Sequence, residues 1–213
     1  MSTIIGGSSP SITFSDSTTQ ASAGLTSASP VITSGVLTFP NASTQSAAGL
    51  VVGSASAITS GTAVSASGTS ITYSSIPSWV KRITVIFNGV KTNGTSYRQV
   101  QLGSGSTTTS GYTTSTAVWT TNASNLSPTT GFYLGSASGG SDTFYGHMVL
   151  TLLSPSANTW TASYWTTFAS GQQWVGTGMT GAVSLSGTLD RVVLTTVNGT
   201  DQYNAGQVNI FYE

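Results

Sequence analysis

One histidine, five carboxylates and no cysteine make up the ready acid–base and nucleophilic chemistry of this 213-residue chain. A Ser-His-Asp triad can be written from His147 with Asp142 or Asp190 and one of many serines, but no G-x-S-x-G elbow supports it. Met148, Leu150 and Leu152 alternate after His147, which reads as a histidine on a sheet face. Glycoside hydrolysis needs two carboxyl groups about 5 to 9.5 Å apart, whereas Asp16, Asp142, Asp190, Asp201 and Glu213 are scattered along the sequence. Asp190-Arg191 and Asp201 flank one expected strand and its turn, so an ion pair and an Asx turn are the expected uses. No spacing suits a metal. The expectation is a protein with no catalytic residue, no metal and no cofactor, and not an enzyme.

Aromatic side chains among amides and hydroxyls offer a different chemistry, because ring planes stack on sugar faces while Asn, Gln and Thr hydrogen-bond the hydroxyls. Trp174 sits in SGQQWVGTG, and Trp119 and Tyr112 lie in comparably polar stretches. The candidate receptor-contacting residues are Trp119, Tyr112, Trp174 and Gln172. The competing reading places large aromatics of alternating strands, such as Phe132, Trp160 and Tyr164, in the core or at a subunit interface.

Five basic and five acidic residues give a formal net charge of zero. Clustered Lys and Arg are what neutralise a phosphate backbone, so nucleic acid is not an expected partner. A polybasic membrane surface is excluded in the same way, and no apolar run is long enough to insert in a membrane. The opening MSTIIGGSSP has neither the basic nor the apolar region of a signal peptide. Ser and Thr make up about a third of the chain, and β-branched and aromatic residues outnumber helix formers, which points to an all-β protein rich in turns.

Nine of the ten charges lie from Lys81 onward, and before it only Asp16 is ionisable. That shift puts a boundary near Ala66 to Ser70. Ahead of it the sequence repeats: SITFSDSTTQASAGL (11–25) returns as VLTFPNASTQSAAGL (36–50), and Ile32–Gly35 returns as Ile58–Gly61. Each unit reads as a short strand, a turn and a second short strand. Two units are too few for a self-sufficient solenoid, so residues 11–68 read either as a Ser/Thr/Gly linker or as a thin shaft in which identical chains wind together. In the second reading Phe14, Leu25, Phe39 and Leu50 face a shared trimer axis. Residues 1–10, with Ile4 and Ile5 beside a Gly-Gly pair, suit a short peptide laid into a groove of another protein.

From residue 69 to 213 nearly everything reads as strand: Arg82–Phe87 running into an Asn88-Gly89 turn, then Tyr97–Leu102, Gly131–Leu134, His147–Leu153, Thr159–Phe168, Ala182–Leu185, Arg191–Val197 and Gln207–Tyr212. About eight to ten strands with no helical period suggest an antiparallel β-sandwich of jelly-roll type.

IPSWVKRITVIFNGVKTNGTS (76–96) and SGTLDRVVLTTVNGTDQYNAGQVNIFYE (186–213) resemble the C-terminal domain that recurs in tailed-bacteriophage fibres and related virion proteins, and the TF-polar-TTQ repeat resembles the shaft segments before such domains. The resemblance implies a homotrimeric appendage on the virion. Ile4 and Ile5 would then anchor it to another virion protein, and the C-terminal domain would contact a host-surface glycan or protein. It fits a tail fibre that mediates attachment, and equally a capsid-surface fibre or decoration protein without a specific ligand.

Overall fold

The computed structural model describes residues 58–118, 125–135, 142–170 and 173–213, together with five short strands nearer the N-terminus. It divides into two units, Met1–Ala57 and Ile58–Glu213. In the first, β1 (Ile12–Thr13) pairs with β2 (Thr19–Gln20), and β3 (Val31–Thr33), β4 (Val36–Thr38) and β5 (Thr44–Ser46) form a three-stranded sheet. The sequence repeat is reproduced in register: Ile12 faces Gln20 and Thr13 faces Thr19 in one copy, Leu37 faces Gln45 and Thr38 faces Thr44 in the other. Phe14, Leu25, Phe39, Leu50, Ile4 and Ile5 lie outside the described residues.

The second unit is all-β, and every strand pair in it is antiparallel. Its strands are β6 (Thr59–Ser60), β7 (Val64–Ser65), β8 (Ser70–Ser74), β9 (Arg82–Thr92), β10 (Arg98–Ser104), β11 (Ser106–Thr107), β12 (Thr113–Val118), β13 (Asn125–Leu126), β14 (Phe132–Leu134), β15 (Thr143–Ser154), β16 (Thr159–Ser170), β17 (Gln173–Ser184), β18 (Arg191–Thr196) and β19 (Tyr203–Tyr212). A large sheet runs β13-β12-β17-β16-β15-β9-β19-β6, with β7 also on β19. A smaller one runs β11-β10-β18-β8, with β14 also on β10.

Alternation decides which side chains fill the space between these sheets. Ile83, Val85 and Phe87 of β9, Met148 and Leu150 of β15, Trp160 and Tyr164 of β16, and Val208 and Ile210 of β19 are buried while their neighbours are not. They join Val100 and Leu102 of β10, Phe132 and Leu134 of β14, and Val192 and Leu194 of β18 in one apolar cluster. Phe87 meets Phe144 edge-on at 5.3 Å.

Three sequence expectations are corrected. The boundary drawn at residues 68 and 69 falls inside the second unit: β6 and β7 pair with β19, and Gly61, Ala66 and Gly68 all exchange backbone hydrogen bonds with it. Asn88-Gly89 is a bulge inside β9 and not a turn, with Gly89 at φ +67° beside Gly206 of β19 at φ +92°. The Gly-rich stretch from 173 to 181 is strand, paired along its whole length with β16 and from Thr177 onward with β12 as well.

Candidate functional site

The register fixes two ends of the large sheet. Arg82, Ser154, Thr159 and Tyr212 lie at the end where the chain enters this unit at Ile58, and Thr92, Thr143, Ser170, Gln173 and Tyr203 lie at the other. The 12 residues of β16 separate these ends by about 36 Å at ~3.3 Å per residue. Trp174 is at the far end, opposite Ala169. Of the four candidate positions, the described strands place Trp174 at this end. Trp119 and Gln172 themselves lie outside the described residues.

Tyr112 is the exception and is corrected to a core residue. It is 2 % exposed and packs edge-on against Phe132 at 4.9 Å. Its hydroxyl accepts from Leu102 N at 2.8 Å and donates to Thr108 O at 3.0 Å. Burial pushes the phenol up to about 12, against the opposing pull of the Leu102 N–H. The hydroxyl is satisfied inside the protein and is not presented to a ligand.

The far end is stiffened by two turns that each begin Asn-Gly-Thr, at 93–95 and 198–200. Asn198 Oδ1 accepts from Thr200 N at 3.1 Å and Asp201 N at 3.2 Å, an Asx turn, while its amide donates to Asp201 Oδ1 at 2.6 Å. The turns are then tied to each other. Ser96 N donates to Asp201 Oδ2 at 2.8 Å, Asn198 N to Ser96 Oγ at 3.1 Å, and Gln202 N to Asn93 Oδ1 at 2.8 Å. A side chain at Gly94 would overlap the Asp201 carboxylate, which explains the glycine. Hydrogen bonds from Asn198 and then from Ser96 N hold Asp201 below the usual carboxylate range. Asn93 and Ser96 were not singled out from the sequence; the doubled Asn-Gly-Thr was the signal that could have found them.

Beneath this rim Arg98 is 3 % exposed and donates Nη2 to Asp142 O at 3.0 Å. Burial lowers its guanidinium below the ordinary value, while Tyr203 and Asp142 act in the opposite sense. Tyr203 is pushed up by burial, and its hydroxyl donates to Thr195 O at 2.9 Å. Nothing in the sequence marked Arg98 as an interior residue.

The remaining acid–base groups are dispersed. Asp190 pairs with Arg191 at 2.7 Å and accepts from Gly105 N at 2.8 Å, and these hydrogen bonds, Arg191's first, lower its carboxyl. Glu213 pairs with Arg82 at 3.0 Å at the entry end. His147 is exposed on the outer face of the large sheet, between Trp165 and Ile86 in register. Among the described residues no group of three or more His, Cys, Asp or Glu could hold a metal ion. A groove of about 430 Å³, lined by Ile58, Arg82, Thr84, Phe211, Tyr212 and Glu213, opens at the entry end, away from the rim.

No protein-family model, curated protein or solved structure matches this chain.

Proposed function

We propose that the chain is a structural appendage of a bacteriophage particle, a homotrimeric tail fibre that attaches to the host cell surface, with a glycan as the receptor. The observation that carries this reading is the roughly 36 Å between the entry end at Ile58 and the end that bears Trp174, opposite Ala169. A fibre needs that division: one end tied to the particle and the other turned outward. In this reading residues 1–10 anchor it through Ile4 and Ile5, residues 11–57 form a shaft around Phe14, Leu25, Phe39 and Leu50, and the C-terminal unit is a jelly-roll-like head. Three copies of a weak anchor or a weak receptor contact gain from effective concentration.

A second reading is a capsid-surface fibre or decoration protein without a specific ligand. It is favoured by the rim itself, where Asn198 and Asp201 are engaged with each other and Asn93 accepts from Gln202 N. Particles carrying Trp174→Ala separate the two. Under the tail-fibre reading they incorporate the protein at normal copy number and adsorb more weakly to host cells; adsorption equal to wild type overturns it. Deleting residues 1–10 abolishes incorporation and leaves the trimer intact; normal copy number would place the anchor elsewhere.

A further inference from the structure

The two outer sheet faces differ in kind. On the small sheet, Ser70, Thr72 and Ser74 of β8 lie opposite Thr195, Val193 and Arg191 of β18, and the one apolar member, Val193, is only 8 % exposed. That is the polar exterior expected of an antiparallel sheet with one solvated face. The large sheet presents the opposite pattern. Trp165 and Leu153 are each 66 % exposed, Tyr145 is 36 % exposed, Ile86 and Val149 are half-buried between buried neighbours, and Phe211 is half-buried beside the buried Ile210. Val149 stands beside Thr84 and Thr84 beside Phe211, while His147 joins Trp165 to Ile86, so these residues form one continuous patch across β16, β15, β9 and β19.

We propose that this face is where a second copy of the chain packs. Three features select that occupant. Aliphatic and aromatic side chains are mixed across adjacent strands, as in the apolar centre of a homo-oligomer interface. The charges at the entry end of the face, Arg82 and Glu213, cancel within one chain at 3.0 Å, so identical copies meet without like-charge repulsion. The extent is also sufficient: four strands at ~4.8 Å spacing and about 36 Å long give roughly 690 Å², near the ~800 Å² that each partner of a standard interface buries. The proposal rests on the oligomer invoked above and names its surface. Its test is made on the purified chain, so it stands or falls independently of host adsorption.

The chain has no cysteine, so a single introduced thiol reports on its surroundings. Ser163 lies beside Val149 on the large sheet, and Thr72 lies on the outer face of the small one; both are exposed in the single chain. In the full-length protein at micromolar concentration, Ser163→Cys reacts with a maleimide about tenfold or more slowly than Thr72→Cys, and adding Val149→Glu removes that protection. Sedimentation velocity follows the same variants: Val149→Glu and Ile86→Lys weaken the oligomer, and Thr72→Glu leaves it unchanged. Circular dichroism melts confirm that each variant is folded. Equal labelling rates at the two thiols, or a monomeric wild-type chain, overturn the proposal. So does an unprotected Ser163→Cys combined with a Trp165→Ala variant that loses binding to oligosaccharide released from host envelope, since that would make the face a sugar platform.

Discussion

Replacing Gly206 by alanine would drive a methyl group into the backbone of the neighbouring strand. Gly206 sits at φ +92°, and an added Cβ would overlap the carbonyl of Gly89 and come within 2.5 Å of Val90 N, atoms that cannot move without displacing β9. The backbone strain costs about 1–3 kcal/mol and the overlap roughly another 1–3 kcal/mol, giving about 2–6 kcal/mol together. In a unit of this size each kcal/mol lowers the melting temperature by about 2–4 °C, so the loss is on the order of 4–24 °C. Gly199 supplies the control. It has φ +67° and nothing within 4 Å of an added Cβ, so Gly199→Ala costs the strain alone, about 1–2 kcal/mol. The two variants, melted side by side by circular dichroism in the 58–213 fragment, separate steric overlap from backbone strain. A Gly206→Ala melting temperature equal to that of Gly199→Ala would refute the paired-bulge geometry of β9 and β19.

Tyr112→Phe leaves the Leu102 N–H without its buried acceptor and lowers stability by about 1–3 kcal/mol; a loss of host adsorption with unchanged melting would return this residue to the surface. Asp190 and Asp201 both have carboxyls held below their unfolded values, so their stabilisation is complete above the ordinary value near pH 4 and is lost as pH falls through the lowered folded values. The melting temperature should therefore hold from neutral pH to about pH 5 and drop below about pH 4, and Asp190→Asn with Asp201→Asn should flatten that drop; an unchanged acid limb would contradict the assignment. A 58–213 fragment should fold and melt cooperatively, whereas 69–213, which lacks β6, β7 and Ala66, should melt at lower temperature; indistinguishable melts would show that those segments contribute nothing to the sheet.

Legibility followed the physics of each segment. β9, β15, β18 and β19 announce themselves because one face is buried, so Ile83, Val85 and Phe87, or Val208 and Ile210, must alternate with polar residues. β12 and the first half of β17 do not, because TTSTAV and QWVGTGMT carry few large apolar side chains; pairing of β17 with β16, and of β12 with β17, imposes the strand. Asn88-Gly89 and Asn198-Gly199 look alike in sequence since both supply a positive φ, yet one is a bulge within β9 and the other closes a turn, with Gly199 N donating to Thr196 O at 3.0 Å. Only the pairing partner distinguishes them. The repeat at 11–25 and 36–50 reads as a short strand, a turn and a second short strand per unit, and equivalent positions pair in the two copies, Ile12 with Gln20 and Leu37 with Gln45. Of the candidate site, the Asp190–Arg191 pair and the Asp201 turn were legible as local motifs. Tyr112 was misread because its Gly- and Thr-rich neighbours suggest a loop, while its ring reaches Phe132 twenty residues away.

The most direct test of the fibre reading is to label intact phage particles with a gold-conjugated antibody raised against residues 58–213 and to image them by electron microscopy. Label is expected at the free end of tail fibres, with inhibition of adsorption by the same antibody. Label over the capsid surface, or on no part of the particle, would contradict it.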